Sequence, residues 1–376
     1  MTDAISRSWN QPVTSFESSL KESPLRAKLV QVHQLFCKIV GVPSNAAISS
    51  LTYIDSGAVK KVYNANEENR VVIVARGSVL GQKEKKLENE VATKQHIVEK
   101  LREKGVDVPK NLDTVVLSTE HVNSRLKVTV ESYGGGSLEK RVNEGLAFNQ
   151  RVLAASQVLQ GLATLHKAGY AHGDFKLDNV LTKPGEIKGD GVVVGDLDKA
   201  KHVEETGPVG YKGNTRYGAP ENKTSKEADT YAAGIALIRI LEGEVADQVN
   251  HMLVTPQGSK SVKPTDERKG IERFVLKDER FTRTYDRKSG FPLGMALDLK
   301  ARVTKPKQEN VAKETEALNT YSEALCNKLA GKGKLSPEQA QSLKDLITSM
   351  VTSDPEQRPT MEEAAARFNT IMGVNP

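Results

Sequence analysis

The spacing of hydrophobic residues changes character along the chain of 376 residues. Residues 1–22 are polar and aperiodic, and a helical spacing then follows over residues 24–40, where Ser23 and Pro24 suit the start of a helix. Short β-branched segments between residues 51 and 130 predict a small sheet with one helix over residues 83–101. The strands of that sheet are predicted at residues 51–53, 61–64, 70–76, 114–118 and 126–130.

Beyond the glycines at positions 134–136, the pattern is mainly helical. Apolar spacing predicts a helix over residues 148–168, and Ser336 with Gln339 three residues later predicts a capped helix over residues 337–351. Residues 244–333 are the least regular part and contain several prolines. A stretch of this length is too long for a simple connection, so it indicates an insertion with its own short helices or a mobile segment.

Positive charge is concentrated in the same irregular part of the chain. Residues 250–334 contain 18 Lys and Arg against 11 Asp and Glu, a net charge of +7, while the whole chain carries +6. The rest of the protein is therefore nearly neutral, and we expect no nucleic-acid partner. The basic insertion is interpreted as a solvated surface, with docking of a partner or an anionic surface as the second interpretation.

Composition narrows the class of protein further. Hydrophobic residues make up 38% of the chain and charged residues 27%, which is enough apolar material for a folded core. Two cysteines, Cys37 and Cys326, exclude a disulfide scaffold and a cysteine-rich metal site. The sequence has no apolar run long enough for a transmembrane helix and no Sec-type signal peptide. We therefore expect a cytoplasmic protein, or one secreted into a host cell by a route other than Sec.

The most informative chemical pattern is the run from His172 to Leu181, followed by a valine-rich strand that ends at Asp196. Transfer of phosphate from ATP requires a group that orients the acceptor hydroxyl, a cation near the γ-phosphate and oxygen ligands for Mg²⁺. Asp174, Lys176, Asn179 and Asp196 supply these groups in that order. The pattern therefore predicts phosphoryl transfer with ATP and Mg²⁺ as cofactors.

Further blocks follow in order along the chain. They are Ala219-Pro220-Glu221, a helix that begins near Asp229, and the run from Asp354 to Thr360. From about residue 50 to residue 372 the sequence resembles the protein kinase superfamily. The resemblance implies that Arg358 pairs with Glu221, that Asp229 holds the backbone of the catalytic loop, and that His172 has a packing role.

The resemblance also implies an α+β, bilobal, protein-kinase-like fold, with a small β-rich lobe and a larger helical lobe. We expect residues 1–45 to form an N-terminal extension with one amphipathic helix. Residues 46–131 would then form the small lobe, and residues 132–376 the large lobe with its basic insertion at about residues 244–333. In this fold Asp174 and Lys176 would be catalytic, and Asn179 and Asp196 would bind the metal.

The small lobe departs from the family pattern at the positions that contact phosphate. Only Gly57 remains of the glycine-rich loop, and Arg76 stands where the ATP-binding lysine is expected. Lys60 lies at the loop position where with-no-lysine kinases place that lysine, so it is the preferred phosphate cation. Arg76 is the second interpretation, because a planar guanidinium is a poor substitute for an ammonium. Glu90 is the expected acidic partner of the cation, and a site with no working cation is the third interpretation.

The residues that would bind the nucleotide base are assigned by the same resemblance. Val62, Ala75 and Leu181 are expected to enclose adenine, and the backbone from Glu131 to Tyr133 is expected to read its edge. Together these assignments predict an ATP- and Mg²⁺-dependent kinase for Ser and Thr residues of protein substrates, including the hypothesis of a bacterial effector that acts on host proteins. The alternatives are a pseudokinase scaffold, a kinase of small molecules and an enzyme that transfers a nucleotide.

Two residues of the catalytic run also depart from the family. Gly173 stands where many kinases have an arginine before the catalytic aspartate, and Asp198 replaces the glycine that normally follows the metal-binding aspartate by two positions. Without that arginine, a phosphate on the activation segment lacks its usual partner. We therefore expect activity that does not depend on phosphorylation of this segment.

Overall fold

A computed structural model describes much of the chain from residue 51 onward, in ranges separated by gaps. The described ranges are 51–56, 60–65, 70–75, 82–108, 112, 116–123, 126–132, 136–182, 187, 191–207, 209–210, 217–242 and 308–374. The predicted N-terminal helix over residues 24–40 and most of the basic insertion lie outside them. The chain divides into two compact units, residues 1–99 with 113–134 and residues 100–112 with 135–376.

The first unit contains a five-stranded antiparallel sheet in the order β1-β2-β3-β5-β4. Its elements are β1 Leu51–Ser56, β2 Lys60–Ala65, β3 Arg70–Ala75, α1 Gln82–Glu103, β4 Val116–Asn123 and β5 Leu126–Ser132. The predicted strands and helix are present, but β4 begins and ends later than residues 114–118. Pairing continues to Asn123 and Leu126 at the turn between the strands, so polar residues of β4 belong to the ladder.

The second unit is mainly helical. Its helices are α2 Leu138–Glu144, α3 Phe148–Lys167, α4 Val203–Thr206, α5 Lys226–Glu242, α6 Gln308–Gly331, α7 Pro337–Met350 and α8 Met361–Met372. Helix α3 is the centre of this unit and packs against α5 and α8. The predicted capping box of α7 is present, since Ser336 accepts from the Gln339 backbone and the Gln339 side chain bonds the Ser336 backbone.

Short strands connect the helices of the second unit. They are β6 Gly136–Ser137, β7 Tyr170–Ala171, β8 Val180–Thr182, β9 Val192–Val194, β10 Lys201–His202, β11 Val209–Gly210 and β12 Lys223–Thr224. They form three small sheets, in the orders β6-β8-β9, β10-β7 and β11-β12. Two of these sheets, β6-β8-β9 and β10-β7, contain the strands on either side of the loops that carry the candidate catalytic residues.

The end of the predicted insertion differs from the expectation of short helices. Residues 308–331 form one continuous helix, α6, whose buried face includes Leu318, Tyr321, Leu325 and Leu329. This spacing of three and four residues is the ordinary signature of a helix packed on one side. The proline-rich segment before it obscured that signature in the sequence, and the described helix begins at Gln308.

A buried polar cluster attaches α6 to the helices beside it. Arg239 contacts Glu139 at 2.6 Å and Glu242 at 3.4 Å, and the hydroxyl of Tyr321 donates to Glu242. Burial and then the Glu242 carboxylate raise the pKa of Tyr321 far above its usual value, so the phenol stays protonated and remains a donor. Since Tyr321 belongs to α6, this cluster fixes α6 onto α5.

The thiol of Cys326 is expected to be unreactive in the folded protein. Burial in α6 raises its pKa from 9.0 to about 12, which lowers the thiolate fraction at neutral pH by about 10³-fold. In a Cys37→Ser variant, so that Cys326 is the remaining thiol, labelling by a disulfide reagent at pH 8 should be fast only after denaturation. Rapid stoichiometric labelling of the native variant would contradict the burial of this side chain.

None of the helices within the described ranges is both long enough and apolar enough to cross a bilayer.

Candidate active site

Asp229, in the first turn of α5, holds the backbone of the candidate catalytic loop. Its carboxylate accepts hydrogen bonds from the backbone N–H of His172 at 2.6 Å and of Gly173 at 3.2 Å. The Nε2 atom of His166 lies 3.1 Å from the same carboxylate. All of these groups are buried. The prediction that Asp229 holds the backbone of this loop is confirmed.

His172 joins the catalytic loop to the loop that carries Asp196. Its Nε2 atom lies 3.0 Å from the carbonyl oxygen of Gly195, and its ring packs edge-on against Phe175 with 5.7 Å between centroids. The side chain is completely buried and therefore has no access to a substrate. The packing role predicted for His172 is confirmed.

Asn179 and Asp196, the predicted metal ligands, lie on two backbone segments that are bonded together. The backbone N–H of Gly195 donates to the carbonyl of Asn179 at 2.9 Å. The Asn179 amide nitrogen donates to the Asp174 carbonyl at 2.8 Å, which orients its Oδ1 atom as a remaining acceptor. Asp196 has φ 58° and ψ 56°, a left-handed conformation that aspartate tolerates better than most residues.

This donor set suits Mg²⁺ better than a transition metal. The part of the chain that the structure describes contains no group of three or more His, Cys, Asp or Glu residues that could hold a metal ion. One carboxylate and one amide oxygen are too few for a closed metal cage. They are enough for Mg²⁺, which keeps several waters and takes further oxygens from substrate phosphates. Asn179 and Asp196 therefore fit the predicted metal.

Asp174 and Lys176, the predicted catalytic pair, differ in their surroundings. The side chain of Asp174 is 8% exposed, and its Oδ2 atom lies 2.6 Å from the Nζ atom of Lys199. Lys176 is half-buried, in an extended conformation before the short helix Leu177–Asn179, and forms no ion pair with another described residue. Sequence reasoning missed Lys199, because a lysine in a loop carries no motif that links it to a carboxylate 25 positions earlier.

Gly173 is required by the shape of the loop. Its φ is +72°, which is strained for any residue with a side chain, and a Cβ atom there would lie 2.9 Å from both the Lys199 carbonyl oxygen and the Thr224 methyl. An arginine at position 173 would therefore displace the backbone of Lys199 or the side chain of Thr224. Glycine, in place of the arginine that many kinases have here, therefore permits the close approach of the segment that carries Lys199.

The predicted pair between Glu221 and Arg358 is present. Arg358 makes two bonds to the carboxylate, at 2.7 Å and 3.0 Å, and also lies over the ring of Tyr231 at 5.0 Å. A bidentate arginine in this partly buried position fixes the segment after the activation loop onto α5.

In the first unit, the predicted nucleotide-binding positions are described by their backbone register. Lys60 in β2 lies directly opposite Ala75 in β3, and Val62 lies opposite Ile73. Glu131 in β5 pairs with Val71 of the same β3 strand. The register therefore brings the backbones of Lys60 and Ala75 together. In the second unit, Leu181 is half-buried in β8, opposite Val193. Gly57, Arg76 and Tyr133 lie outside the described residues.

Glu90, the predicted partner of the phosphate cation, has a neighbour that the sequence analysis did not assign. Its carboxylate lies 3.6 Å from the Nζ atom of Lys94 one turn later in α1, and the two residues are 2% and 0% exposed. A fully buried lysine is costly unless it is paired. Replacing Glu90 would therefore remove a partner of a buried ammonium in addition to any effect on nucleotide.

Comparison with known proteins identifies the family. A family model for the protein kinase domain matches residues 49–368. Similar proteins include the mitogen-activated protein kinase kinase kinase YODA of Arabidopsis thaliana, 30% identical over 131 residues, covering 32% of this chain and 14% of that protein. The serine/threonine-protein kinase shk1/pak1 of Schizosaccharomyces pombe is 29% identical over 201 residues, 51% of this chain and 28% of that protein.

A third relative is the serine/threonine-protein kinase STE20 of Saccharomyces cerevisiae, 28% identical over 245 residues, 61% of this chain and 24% of that protein. The chain thus spans less than a third of the length of these three relatives. Because the family model matches most of the chain, the chain belongs to the protein kinase family. The predicted α+β protein-kinase fold is confirmed, and the relatives support a serine/threonine kinase in general.

Proposed function

We propose that the protein transfers the γ-phosphate of ATP to Ser or Thr hydroxyls of protein substrates, with Mg²⁺ as the metal. The observation that carries this proposal is the bonded arrangement of the two loops. The Asn179 side chain bonds the Asp174 backbone, and its carbonyl bonds Gly195, next to Asp196. These bonds join the backbone segments that carry the proposed orienting carboxylate and the two proposed metal ligands into one assembly, which supports the proposal.

Each residue of this assembly has one role in the proposed reaction. Asp174 accepts a hydrogen bond from the acceptor hydroxyl and orients it toward the γ-phosphate, while Lys176 places an ammonium near that phosphate. Asn179 and Asp196 hold the metal. When bound, Mg²⁺ supplies positive charge that offsets the charge developing on the phosphate oxygens.

The nucleotide-binding roles are part of the same proposal. Lys60 contacts the α- and β-phosphates, and Gly57 lets the backbone approach them. The chain division at residues 46–131 and 132–376 would assign these positions to the small lobe and the catalytic assembly to the large lobe. By the family resemblance, Val62, Ala75 and Leu181 are the proposed adenine-binding residues, and the backbone from Glu131 to Tyr133 is proposed to bind the edge of the base.

The proposed acceptors are proteins, and the proposed setting is a host cell. The match to a protein kinase domain and the serine/threonine kinase relatives support protein acceptors. The Ser- and Thr-rich N-terminal stretch and the reduced glycine loop support a bacterial effector that reaches host proteins. The first interpretation of the basic insertion remains a solvated surface, and docking of such a partner or of an anionic surface is the second interpretation.

The function is tested by following the γ-phosphate and the α-phosphate of ATP in separate experiments. The protein is incubated with Mg²⁺ and a generic protein acceptor, using ATP labelled either at the γ- or at the α-phosphate. We expect label on the acceptor only from γ-labelled ATP, and phosphoserine or phosphothreonine after acid hydrolysis. Label from α-labelled ATP would indicate nucleotide transfer, and the absence of label from both would favour a pseudokinase.

The identity of the phosphate cation is tested by comparing neighbouring lysines. Lys60→Ala should lose most activity, because the proposed cation at the α- and β-phosphates is removed. Lys61→Ala is the matched control and should be nearly neutral, since the next residue of a strand lies on the opposite face. Arg76→Ala should be intermediate. Full activity of Lys60→Ala together with loss in Arg76→Ala would move the role to Arg76.

Glu90 is tested in a way that accounts for Lys94. Glu90→Gln should resemble Lys60→Ala in activity, because the cation loses the carboxylate that aligns it. The variant Lys94→Met is its control, since it removes the ion pair within α1 and leaves Glu90 in place. Equal loss of activity in both variants, with equal loss of thermal stability, would assign Glu90 a structural role.

A further inference from the structure

Lys199 is a lysine at the candidate catalytic carboxylate that the sequence analysis did not assign. It ends the short helix Leu197–Lys199, three residues after Asp196. Its Nζ atom lies 2.6 Å from the Asp174 Oδ2 atom, and its side chain is 35% exposed. The distance is that of a strong, charge-assisted hydrogen bond.

The backbone of Lys199 is held against the catalytic loop from two sides. After Lys199 the chain enters β10, where Lys201 pairs with Ala171 immediately before the catalytic loop. On the other side, the Lys199 carbonyl lies where a Cβ atom of residue 173 would come within 2.9 Å. Gly173 therefore permits a close approach that a larger residue would block, and the ammonium reaches Asp174 from a fixed backbone.

A fixed cation at this distance restricts rotation of the carboxylate. An acceptor hydroxyl must bind the same carboxylate in one orientation relative to the γ-phosphate, and small errors in such an orientation reduce the rate strongly. The exposure of Lys199 shows that its side chain is open to solvent, so its charge is not buried by the fold. These features distinguish it from buried cations such as Arg239, which connect helices.

We propose that Lys199 is a positioning residue for Asp174, which sets the orientation of the carboxylate during transfer. This inference rests on the proposed function. In a chain with glycine before the catalytic aspartate, the cation that contacts the carboxylate comes from the loop after Asp196. Lys199 thereby couples the metal-binding loop to the acceptor side of the site.

The test compares full-length wild type with Lys199→Met, Lys199→Arg and Lys201→Met. Lys199→Met keeps the length of the side chain and removes its charge, so kcat should fall about 10- to 100-fold while the KM for ATP is unchanged. Lys199→Arg should recover part of the lost kcat. Lys201→Met is the matched control, because Lys201 is exposed two residues later and should leave kcat unchanged.

Three outcomes overturn the inference. They are an unchanged kcat in Lys199→Met, no recovery in Lys199→Arg, and an equal loss in Lys201→Met. If Lys199→Met also lowers the unfolding temperature, recovery in the arginine variant still separates positioning by charge from a structural effect. Absence of phosphate transfer by the wild type would overturn the proposed function itself, whereas an active wild type with an active Lys199→Met would overturn this inference alone.

Discussion

Asp174→Ala is expected to lower phosphate transfer by about 10³-fold or more, which corresponds to about 4 kcal/mol of transition-state stabilisation. The substitution removes the carboxylate that orients the acceptor hydroxyl. The loop itself should keep its shape, since its backbone is held by Asp229 and the Asn179 side chain. Binding of ATP, measured by calorimetry, should therefore be close to that of the wild type.

The matched control for this prediction is Asp178→Ala in the same loop. Asp178 is an exposed carboxylate four residues later, with no role in the proposed reaction. It should retain nearly full turnover. Turnover of Asp174→Ala within tenfold of the wild type would show that this carboxylate does not orient the acceptor.

Asp196→Asn is expected to reduce transfer by a similar factor, about 10³-fold, through loss of the metal. Asparagine is chosen because residue 196 has φ 58°, a left-handed conformation that asparagine adopts more readily than alanine. The change therefore removes the charge and keeps the backbone. In a titration with Mg²⁺ at constant ATP, the variant should need a much higher concentration for its residual activity.

Asp178→Asn again provides the control, because it removes one negative charge from the neighbouring loop. Its Mg²⁺ titration should match that of the wild type. If Asp196→Asn shows the wild-type titration and turnover, Asp196 is not a metal ligand.

Most helices and strands were predictable from the sequence because their signals are local. Helix α3 was predictable at Phe148–Lys167 because its apolar residues recur at helical spacing, and α7 because its capping box is local. The end of β4 was not predictable from the sequence, because its polar residues have no strand pattern of their own and are stabilised by pairing with β5. Helix α6 was obscured by the prolines that precede it.

The candidate site was predictable where its chemistry is local in sequence. Asp174, Asn179 and Asp196 lie in runs whose spacing indicates phosphoryl transfer. Contacts that depend on the approach of separate segments were not predictable. Lys199 reaches Asp174 only because Gly173 admits its backbone, and Lys94 pairs with Glu90 only because one face of α1 is buried. The sequence position of a charged residue does not indicate which carboxylate it will contact in the folded protein.

The central claim is that the protein moves the γ-phosphate to a Ser or Thr side chain through Asp174. The most direct measurement is mass spectrometry of a protein acceptor after incubation with Mg²⁺ and ATP, with wild type and Asp174→Ala compared at equal ATP occupancy. The wild type should add the mass of one phosphate to individual Ser or Thr residues, and the variant should add none. Addition of an adenylate group, or equal phosphate addition by both proteins, would contradict the claim.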